Sequence, residues 1–283
     1  MKKLPLPVQN DERIIATLAE NRKLTSSYPY LKQRLPDVKA QYQQYIAQNG
    51  NPFNLTKMVM SDELKVGLIA NYNSPPKELK FIESLRNTID DICAMCGSRF
   101  PWSLDHILPK DDYPEWAVFS KNLVPACRCN ITRGKALLGN HQAQARVLHP
   151  YFDDVFETRQ ISCLITSTND FRFIKLELVY LQPTHPNFPS IKFHVEKVVK
   201  PAGIEKYLQR TKWSKMAIKP SNAIRSLFKK GLLTINQVTE FIEEDLEWYD
   251  EQSGTPNNWG SIFLHGLLNS PGVVDWITER HNR

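Results

Sequence analysis

Apolar residues recur at helical spacing along the first third of the chain. One run contains Val38, Tyr42, Tyr45 and Ile46, and a second, after the Pro75-Pro76 pair, contains Ile82, Leu85, Ile89 and Ile92. Positions three or four apart share one face of an α-helix, and proline is favoured where a helix begins. The pattern therefore predicts that residues 11–92 are helical and that these apolar stripes form a core.

The pattern changes between Cys93 and about Leu138. Two short runs punctuated by proline, "SLDHILPK" and "SKNLVPA", are typical of strands, and "NITRGKALL" after them is compatible with a helix. The predicted order is strand, loop, strand, helix.

Strand-like and then helical patterns fill the rest of the chain. The runs "SCLIT", "FRFIKLELVYL" and "IKFHVEKVV" predict strands, and helical patterns return from about 203 to 269, one of them opened by a capping box of Thr234 and Gln237. The sequence thus predicts an α+β chain: a helical N-terminal region over 1–90, a central module over 91–140 and a C-terminal α/β region over 141–283.

Composition and charge narrow the class of protein. The chain has 283 residues, of which 41% are hydrophobic, but "MKKLPLPVQNDER" lacks the apolar segment of a signal peptide and no run of about 18 apolar residues occurs. We therefore expect a cytoplasmic protein with no membrane partner. The net charge of +6 favours a polyanionic partner, although charge alone is weak evidence.

Four of the five cysteines lie within 37 positions: Cys93, Cys96, Cys127 and Cys129. Two close pairs of thiols suit a tetrahedral structural zinc site. Because the second pair is Cys-x-Cys rather than Cys-x2-Cys, one ligand could instead come from elsewhere, and the candidates are His141, His149 and Cys163. The alternative is that these cysteines are free and buried as small hydrophobic residues.

Hard ligands and a possible base lie between and after the cysteine pairs: Asp105, His106, Asn122 and Asn130, with Arg133 and Lys135 just beyond. Carboxylate and amide oxygens suit Mg2+ or Mn2+. A neutral imidazole beside such an ion can take a proton from water, and the ion can stabilise a departing phosphate-ester oxygen. The set is typical of a one-metal phosphodiester hydrolase.

The segment "CAMC…LDHILPK…KNLVPACRCNITRGK" resembles the HNH family of nucleases, in many of which a four-cysteine zinc site surrounds a ββα-metal core. The resemblance implies that His106 is the general base and that Asp105 and Asn130 bind the catalytic metal. It also implies that Asn122 ties down the loop that holds His106. Asp105 and His106 are consecutive, so they can serve one site only if the strand ends or bulges there.

The same resemblance concerns biological context. "HILPKDDYPEWAVFSKNLVPAC" and "LHPYFDD" are similar to HNH proteins of bacterial anti-phage defence systems, of the Septu-like and retron-associated kinds, which act beside an ATPase. This implies an ATPase as partner protein.

Two charged segments are candidate binding surfaces. Residues 197–230 contain ten Lys or Arg against one acid, and Lys212, Lys215 and Lys219 are candidate DNA contacts, as Arg133 and Lys135 are beside the core. A solvated helix face is the alternative. Residues 240–251 contain seven acids and no base on an amphipathic pattern, which is typical of a surface helix or, less often, of a docking helix.

We therefore expect a Mg2+-dependent DNA endonuclease with structural zinc, in which His106 activates water. An RNA-cleaving nuclease with the same chemistry is one alternative. A non-catalytic zinc module that binds nucleic acid is the other, although a purely structural zinc site needs none of the residues at 105, 106, 122 and 130.

Overall fold

A computed structural model describes residues 1–87, 91–167 and 170–283. Its N-terminal region is helical, as the apolar stripes predict, with α1 (Asp11–Ala19), α2 (Tyr30–Gln33), α3 (Leu35–Ala47), α4 (Asp62–Asn73) and α5 (Phe81–Arg86). Side chains of Asn10 and Ser61 accept hydrogen bonds from free amides at the starts of α1 and α4.

The two predicted stripes are shorter than expected. In α3 the buried positions are Val38, Tyr42 and Tyr45, whereas Ile46 is 47% exposed. The second stripe does not continue as helix to Ile92, which pairs with Arg99 in an isolated β-bridge, and Ile89 lies outside the described residues.

The central module has the predicted order of strand, loop, strand and helix. Strands β1 (Ser103–His106) and β2 (Leu123–Ala126) are antiparallel, and α6 (Cys129–Arg133) follows. Helix α6 ends at Gly134, whose φ of 56° is readily adopted only by glycine. Helix α6 is therefore shorter than the helix-compatible segment of the sequence.

The C-terminal region pairs β3 (Ile161–Thr166) with β4 (Lys175–Tyr180) in a second antiparallel sheet. Its helices are α7 (Phe188–His194), α8 (Ile204–Tyr207), α9 (Ser214–Ile218), α10 (Ile235–Ser253), α11 (Trp259–Asn269) and α12 (Val273–His281). Wider π-helical turns extend α7 through Val195–Val199 and join α8 to α9 through Leu208–Trp213.

The prediction of a strand at "IKFHVEKVV" is wrong, because these residues belong to α7 and its π-helical extension. Ile191, Val195, Val198 and Val199 are buried, so the apolar positions follow the spacing of a helix. The β-branched residues suggested a strand, but packing on one helical face outweighs that local preference.

The capping box that opens α10 is confirmed, with Thr234 and Gln237 bonding reciprocally across the first turn. The apolar side of α10 faces the chain's own core: Ile242 is fully buried, and Phe241, Leu246 and Tyr249 pack on the same cluster. The acidic side of α10 is thus the side left for solvent or for a partner.

Hydrophobic contacts join the helical region to the hairpin. One apolar cluster combines residues of α1, α3, α4 and α5 with Leu104, Leu108, Trp116, Phe119 and Leu123, which belong to β1, the intervening loop and β2. The N-terminal helices therefore form a scaffold behind the loop that connects the two strands. None of the helices within the described ranges is long and apolar enough to cross a lipid bilayer.

Candidate metal centre and nuclease site

Four cysteine sulfurs converge at one end of the β1–β2 hairpin. The Sγ atoms of Cys93, Cys96, Cys127 and Cys129 all lie within 4.8 Å of one another, and all four residues are buried. Cys96 and Cys127 are 3.4 Å apart, and Cys93 and Cys129 are 3.6 Å apart. A tetrahedral zinc ion with Zn–S bonds of about 2.3 Å places its sulfurs about 3.8 Å apart, so this set can hold zinc.

The short Cys-x-Cys spacing does not keep either cysteine of the second pair out of the four-sulfur cluster. Cys127 lies just after β2 and Cys129 is the first residue of α6, and the turn between them directs both sulfurs to the cluster. Backbone amides also donate to sulfur, from Cys127 to Cys93 and from Cys129 to Cys127. A metal ion would bind all four residues as thiolates.

The three alternative ligands lie elsewhere. Cys163 is in β3 against the backbone of α11, where burial raises the pKa of its thiol to about 12. His141 is exposed, with its ring against Phe53. His149 hydrogen-bonds to Tyr45 and to the backbone of Tyr151.

Hydrogen bonds from α7 and α11 of the C-terminal region support the cysteine loop, residues 93–98. Nε2 of His194 lies 2.6 Å from the carbonyl oxygen of Met95. Since a carbonyl oxygen can only accept, Nε2 is the donor. The indole of Trp259 donates to the carbonyl of Cys96 at 2.8 Å. These contacts attach α7 and α11 to the loop that supplies the first two sulfurs.

Asp105 and His106 end β1 and contact different parts of the chain. Asp105 is paired across the hairpin with Val124, and its carboxylate faces α6. His106, the last residue of the strand, packs its ring on Tyr72 of α4 at a centroid distance of 4.2 Å. The alternation of a strand thus places the two side chains on opposite faces of β1, so they can serve one site only because the strand ends at His106.

Arg133 occupies both oxygens of Asp105. Its Nε and Nη2 atoms donate to Oδ2 and Oδ1 at 3.0 and 2.6 Å, and Nη2 also donates to the carbonyl of His106 at 2.8 Å. The side chains of Arg133 and Asp105 are only 1% and 7% exposed. Arg133 is thus directed at the carboxylate here, and contact with a phosphate would require it to leave Asp105. Lys135 is exposed and lies near Asp111 and Asp112.

The His106 imidazole is held in one tautomer. Its Nε2 lies 2.9 Å from the carbonyl of Ala117, so Nε2 carries the proton and Nδ1 keeps the lone pair. Among the residues that the structure describes, none hydrogen-bonds to Nδ1. Burial lowers the pKa of His106 to about 4, so the ring is neutral at pH 7.

Asn122 fastens the loop between the strands. Its Oδ1 accepts from the amide of Leu108 at 2.8 Å, and its Nδ2 donates to the carbonyls of Leu108 and Trp116 at 3.0 and 3.2 Å. Ala117, whose carbonyl holds His106, directly follows Trp116. Asn122 therefore acts on the position of His106 through the backbone.

A buried relay reaches Asn122 from both flanking regions. Tyr151 donates its amide to Nδ1 of His149, so Nε2 of His149 donates to the Tyr45 hydroxyl at 3.0 Å, and that hydroxyl donates to Oδ1 of Asn122 at 3.0 Å. Sequence reasoning missed Tyr45 because its spacing in α3 marks it only as a core residue. A tyrosine in a fully buried stripe was the available signal, since a buried hydroxyl needs a partner.

Asn130 lies beside the start of β1. Its Nδ2 donates to Oγ of Ser103 and to the carbonyl of Leu104 at 3.3 and 3.2 Å. No described residue donates to its Oδ1, which is thus available to a cation. The structure brings Asn130 next to the backbone that precedes Asp105, and no hydrogen bond joins the two side chains.

Three lysines of the basic segment were candidate DNA contacts, and they lie on the long helix formed by α8, its π-helical turn and α9, or just after it. Lys212 is half-buried, with Nζ 5.4 Å from the ring centre of Tyr249. Lys215 and Lys219 are exposed. Only Lys212 of the three borders a cavity beside the cysteine loop.

The chain is similar to protein ea31 of Escherichia phage lambda, to which it is 24% identical over 310 aligned positions that cover 95% of this chain and 98% of the phage protein. The similarity therefore includes the regions on both sides of the cysteine-bearing module. The name of the phage protein states no activity. No protein-family profile and no solved structure matches the chain.

Proposed function

We propose that this protein is a metal-dependent endonuclease of the HNH type, with structural zinc, that hydrolyses DNA phosphodiester bonds. One observation carries the proposal: the four sulfurs join the segment before β1 to the start of α6. Asp105, His106 and Asn130 are therefore carried by elements that one zinc ion would hold together. A zinc site with a purely structural role does not require these three residues.

His106 has the properties of a general base in this proposal. It is neutral at pH 7, its Nε2 proton is committed to Ala117, and its Nδ1 is left to accept a proton from water. Asn122 holds the backbone that orients the ring. The base is thus preorganised by contacts that do not include the substrate.

Asp105 and Asn130 offer the oxygen ligands that Mg2+ or Mn2+ prefers. A carboxylate has about four lone-pair sites, so Asp105 can bind an ion while it still accepts from Arg133. When bound, the ion would stabilise negative charge on the leaving oxygen of the phosphate ester.

The test compares cleavage of plasmid DNA and of RNA by zinc-loaded protein with Mg2+, with Mn2+ and without added metal. His106→Ala should lower the cleavage rate by roughly 10²–10⁴-fold while zinc content and circular dichroism stay unchanged. His141→Ala removes an exposed histidine and serves as the matched control. Cleavage by His106→Ala at the wild-type rate would show that another group is the base.

The Asp105–Arg133 pair favours a second candidate, a zinc module that binds nucleic acid without cutting it. In such a module the arginine would hold the carboxylate permanently. Wild-type protein that binds DNA but cleaves neither DNA nor RNA with any of these metals would support this candidate.

The proposal extends to a partner. The resemblance to defence nucleases implies an ATPase, and α10 presents a strongly charged face of exposed acids, namely Glu240, Glu243, Glu244, Glu247 and Glu251. The proposed partner would be supported if an ATPase copurifies with the protein from its host. The ATPase should no longer copurify when exposed acids of α10 are replaced by Gln. An active nuclease that purifies alone would contradict it.

A further inference from the structure

Two large aromatic side chains are exposed beside the cysteine loop. Phe100 is 65% exposed and Trp102 is 61% exposed, and both lie in the short segment between the loop and β1. Single exposed apolar residues are common, but neighbouring exposed aromatics mark interaction sites. We call these two residues, with the exposed Arg99 and Arg128, the aromatic-basic surface.

Backbone hydrogen bonds hold both residues in place. The Trp102 amide donates to the carbonyl of Ala126 at 3.1 Å, which continues the ladder of the hairpin by one residue. The Phe100 amide donates to the carbonyl of Asp91 at 3.0 Å, and its φ of 61° is rare for a bulky residue. The rings are therefore presented by a hydrogen-bonded segment next to the cysteine cluster.

Two cavities flank Phe100. One of about 350 Å³ extends towards α10, and one of about 550 Å³ extends towards α6. Ser98, Arg99, Phe100 and Trp259 line both. Phe100 thus stands on a ridge between two recesses, each large enough for a flat ring of a ligand.

The charge of the recesses favours an anion. Arg99 and Lys212 line the first and Arg99 and Arg128 line the second, whereas neither lining contains a carboxylate. Within the described ranges of the chain, Arg99 and Arg128 form no ion pair. Flat exposed rings next to unpaired cations match the bases and phosphates of an unpaired nucleic-acid strand, whereas the bases of a duplex are stacked and inaccessible.

We propose that the aromatic-basic surface binds an unpaired stretch of nucleic acid, with bases stacked on Phe100 and Trp102 and phosphates at the flanking arginines. Trp102 immediately precedes β1 and Arg128 immediately precedes α6, so a strand on this surface adjoins the elements that carry Asp105 and Asn130. As a description of the substrate the inference rests on the proposed nuclease function, but the binding itself does not.

The test measures binding of the full-length, zinc-loaded protein to fluorescent oligo(dT), oligo(rU) and a blunt duplex by anisotropy, without Mg2+. Phe100→Ala and Trp102→Ala should each weaken binding of the unpaired strands by about 5- to 150-fold, the range that corresponds to the loss of one stacked base. Arg128→Ala should reduce the slope of log affinity against log salt by about 0.7 for each phosphate that the arginine neutralises in the wild-type complex. The ratio of the oligo(dT) and oligo(rU) affinities shows which sugar the surface prefers.

Two variants control for exposure and charge. Phe173→Ala removes an aromatic ring that is 85% exposed on another loop, and Arg22→Ala removes an exposed cation of the N-terminal region. Both should bind the unpaired strands as the wild type does. Zinc content measured for every variant shows that the cysteine cluster is intact.

The proposal is overturned if wild-type protein binds neither unpaired strand, if the two aromatic variants bind as tightly as wild type, or if they lose duplex affinity equally. If wild-type protein binds neither unpaired strand, a protein partner would be the remaining candidate for this surface. Stacking-dependent binding without any cleavage would support the surface and remove only the nuclease function. Cleavage of DNA that does not depend on either ring would support the nuclease function and overturn the aromatic-basic surface as its substrate site.

Discussion

Replacing Tyr45 with Phe tests whether the buried relay to Asn122 stabilises the protein. The change keeps the ring and its edge contacts with Trp116 and Phe119, and it removes only the hydroxyl. That hydroxyl donates to Asn122 and accepts from Nε2 of His149, both at 3.0 Å. Phe at position 45 would remove the hydroxyl that accepts from the buried N–H of His149 and donates to Oδ1 of Asn122.

The magnitude follows from the loss of these two buried hydrogen bonds, each of which contributes about 0.5–1.5 kcal/mol, so about 1–3 kcal/mol together. Solvent cannot replace the hydroxyl, since Tyr45 is 0% exposed. We therefore expect Tyr45→Phe to lower the free energy of unfolding by that amount. If the protein is the proposed nuclease, the looser Asn122 should also lower kcat more than it changes KM.

Tyr42 provides a matched control one turn earlier in the same helix. It is 1% exposed and stacks on Phe119, but its hydroxyl has no hydrogen-bond partner in the described part of the chain. Removing an unpaired buried hydroxyl costs nothing in hydrogen bonding, so Tyr42→Phe should be neutral or stabilising.

The assay is urea unfolding of zinc-loaded protein at neutral pH, in which the midpoint shift multiplied by the slope m gives the change in free energy. Equal destabilisation by the two substitutions would refute the reasoning, because it would show that the hydrogen bonds of Tyr45 contribute nothing specific. An unchanged midpoint for Tyr45→Phe would refute it as well.

Three further predictions concern the metal, pH and the buried ion pair. Purified protein should contain about one zinc per chain; Cys129→Ser should lose the metal and unfold, whereas Cys163→Ser should retain it, and elemental analysis distinguishes these results. In the unfolded chain His149 takes up a proton near its ordinary pKa of 6.5, whereas in the folded protein burial lowers its pKa to about 3. The free energy of unfolding should therefore fall as the pH drops from 6.5 towards 3. The share of His149 in this loss should be about 2 kcal/mol at pH 5, and the buried imidazoles of His106 and His194 add to it in the same direction. Unchanged stability in urea unfolding from pH 8 to 5 would count against neutral buried imidazoles. Arg133→Ala should cost about 3–5 kcal/mol by leaving Asp105 buried and unpaired, and adding Asp105→Asn should recover part of that loss.

Local patterns along the chain were enough to predict several elements and the four-cysteine cluster. The helical stripe of Val38, Tyr42 and Tyr45, the capping box at Thr234 and the order of strand, strand and helix around the cysteines all depend on residues close together in sequence. The four thiols were also predictable, because few arrangements other than a metal site place two close pairs of cysteines together. In these cases the chemistry depends on spacing that the sequence displays directly.

Tertiary structure decided the contacts that join distant residues. Arg133 was expected to face a phosphate, and only the packing of α6 against β1 shows that it faces Asp105. Tyr45 and His149 are 104 positions apart, so no local pattern could reveal that they share a hydrogen bond. The segment "IKFHVEKVV" has the composition of a strand, but burial of one helical face against the core made it a helix. Buried polar groups must be hydrogen-bonded, and apolar faces must pack against other apolar residues. The fold as a whole determines which distant residues make these contacts.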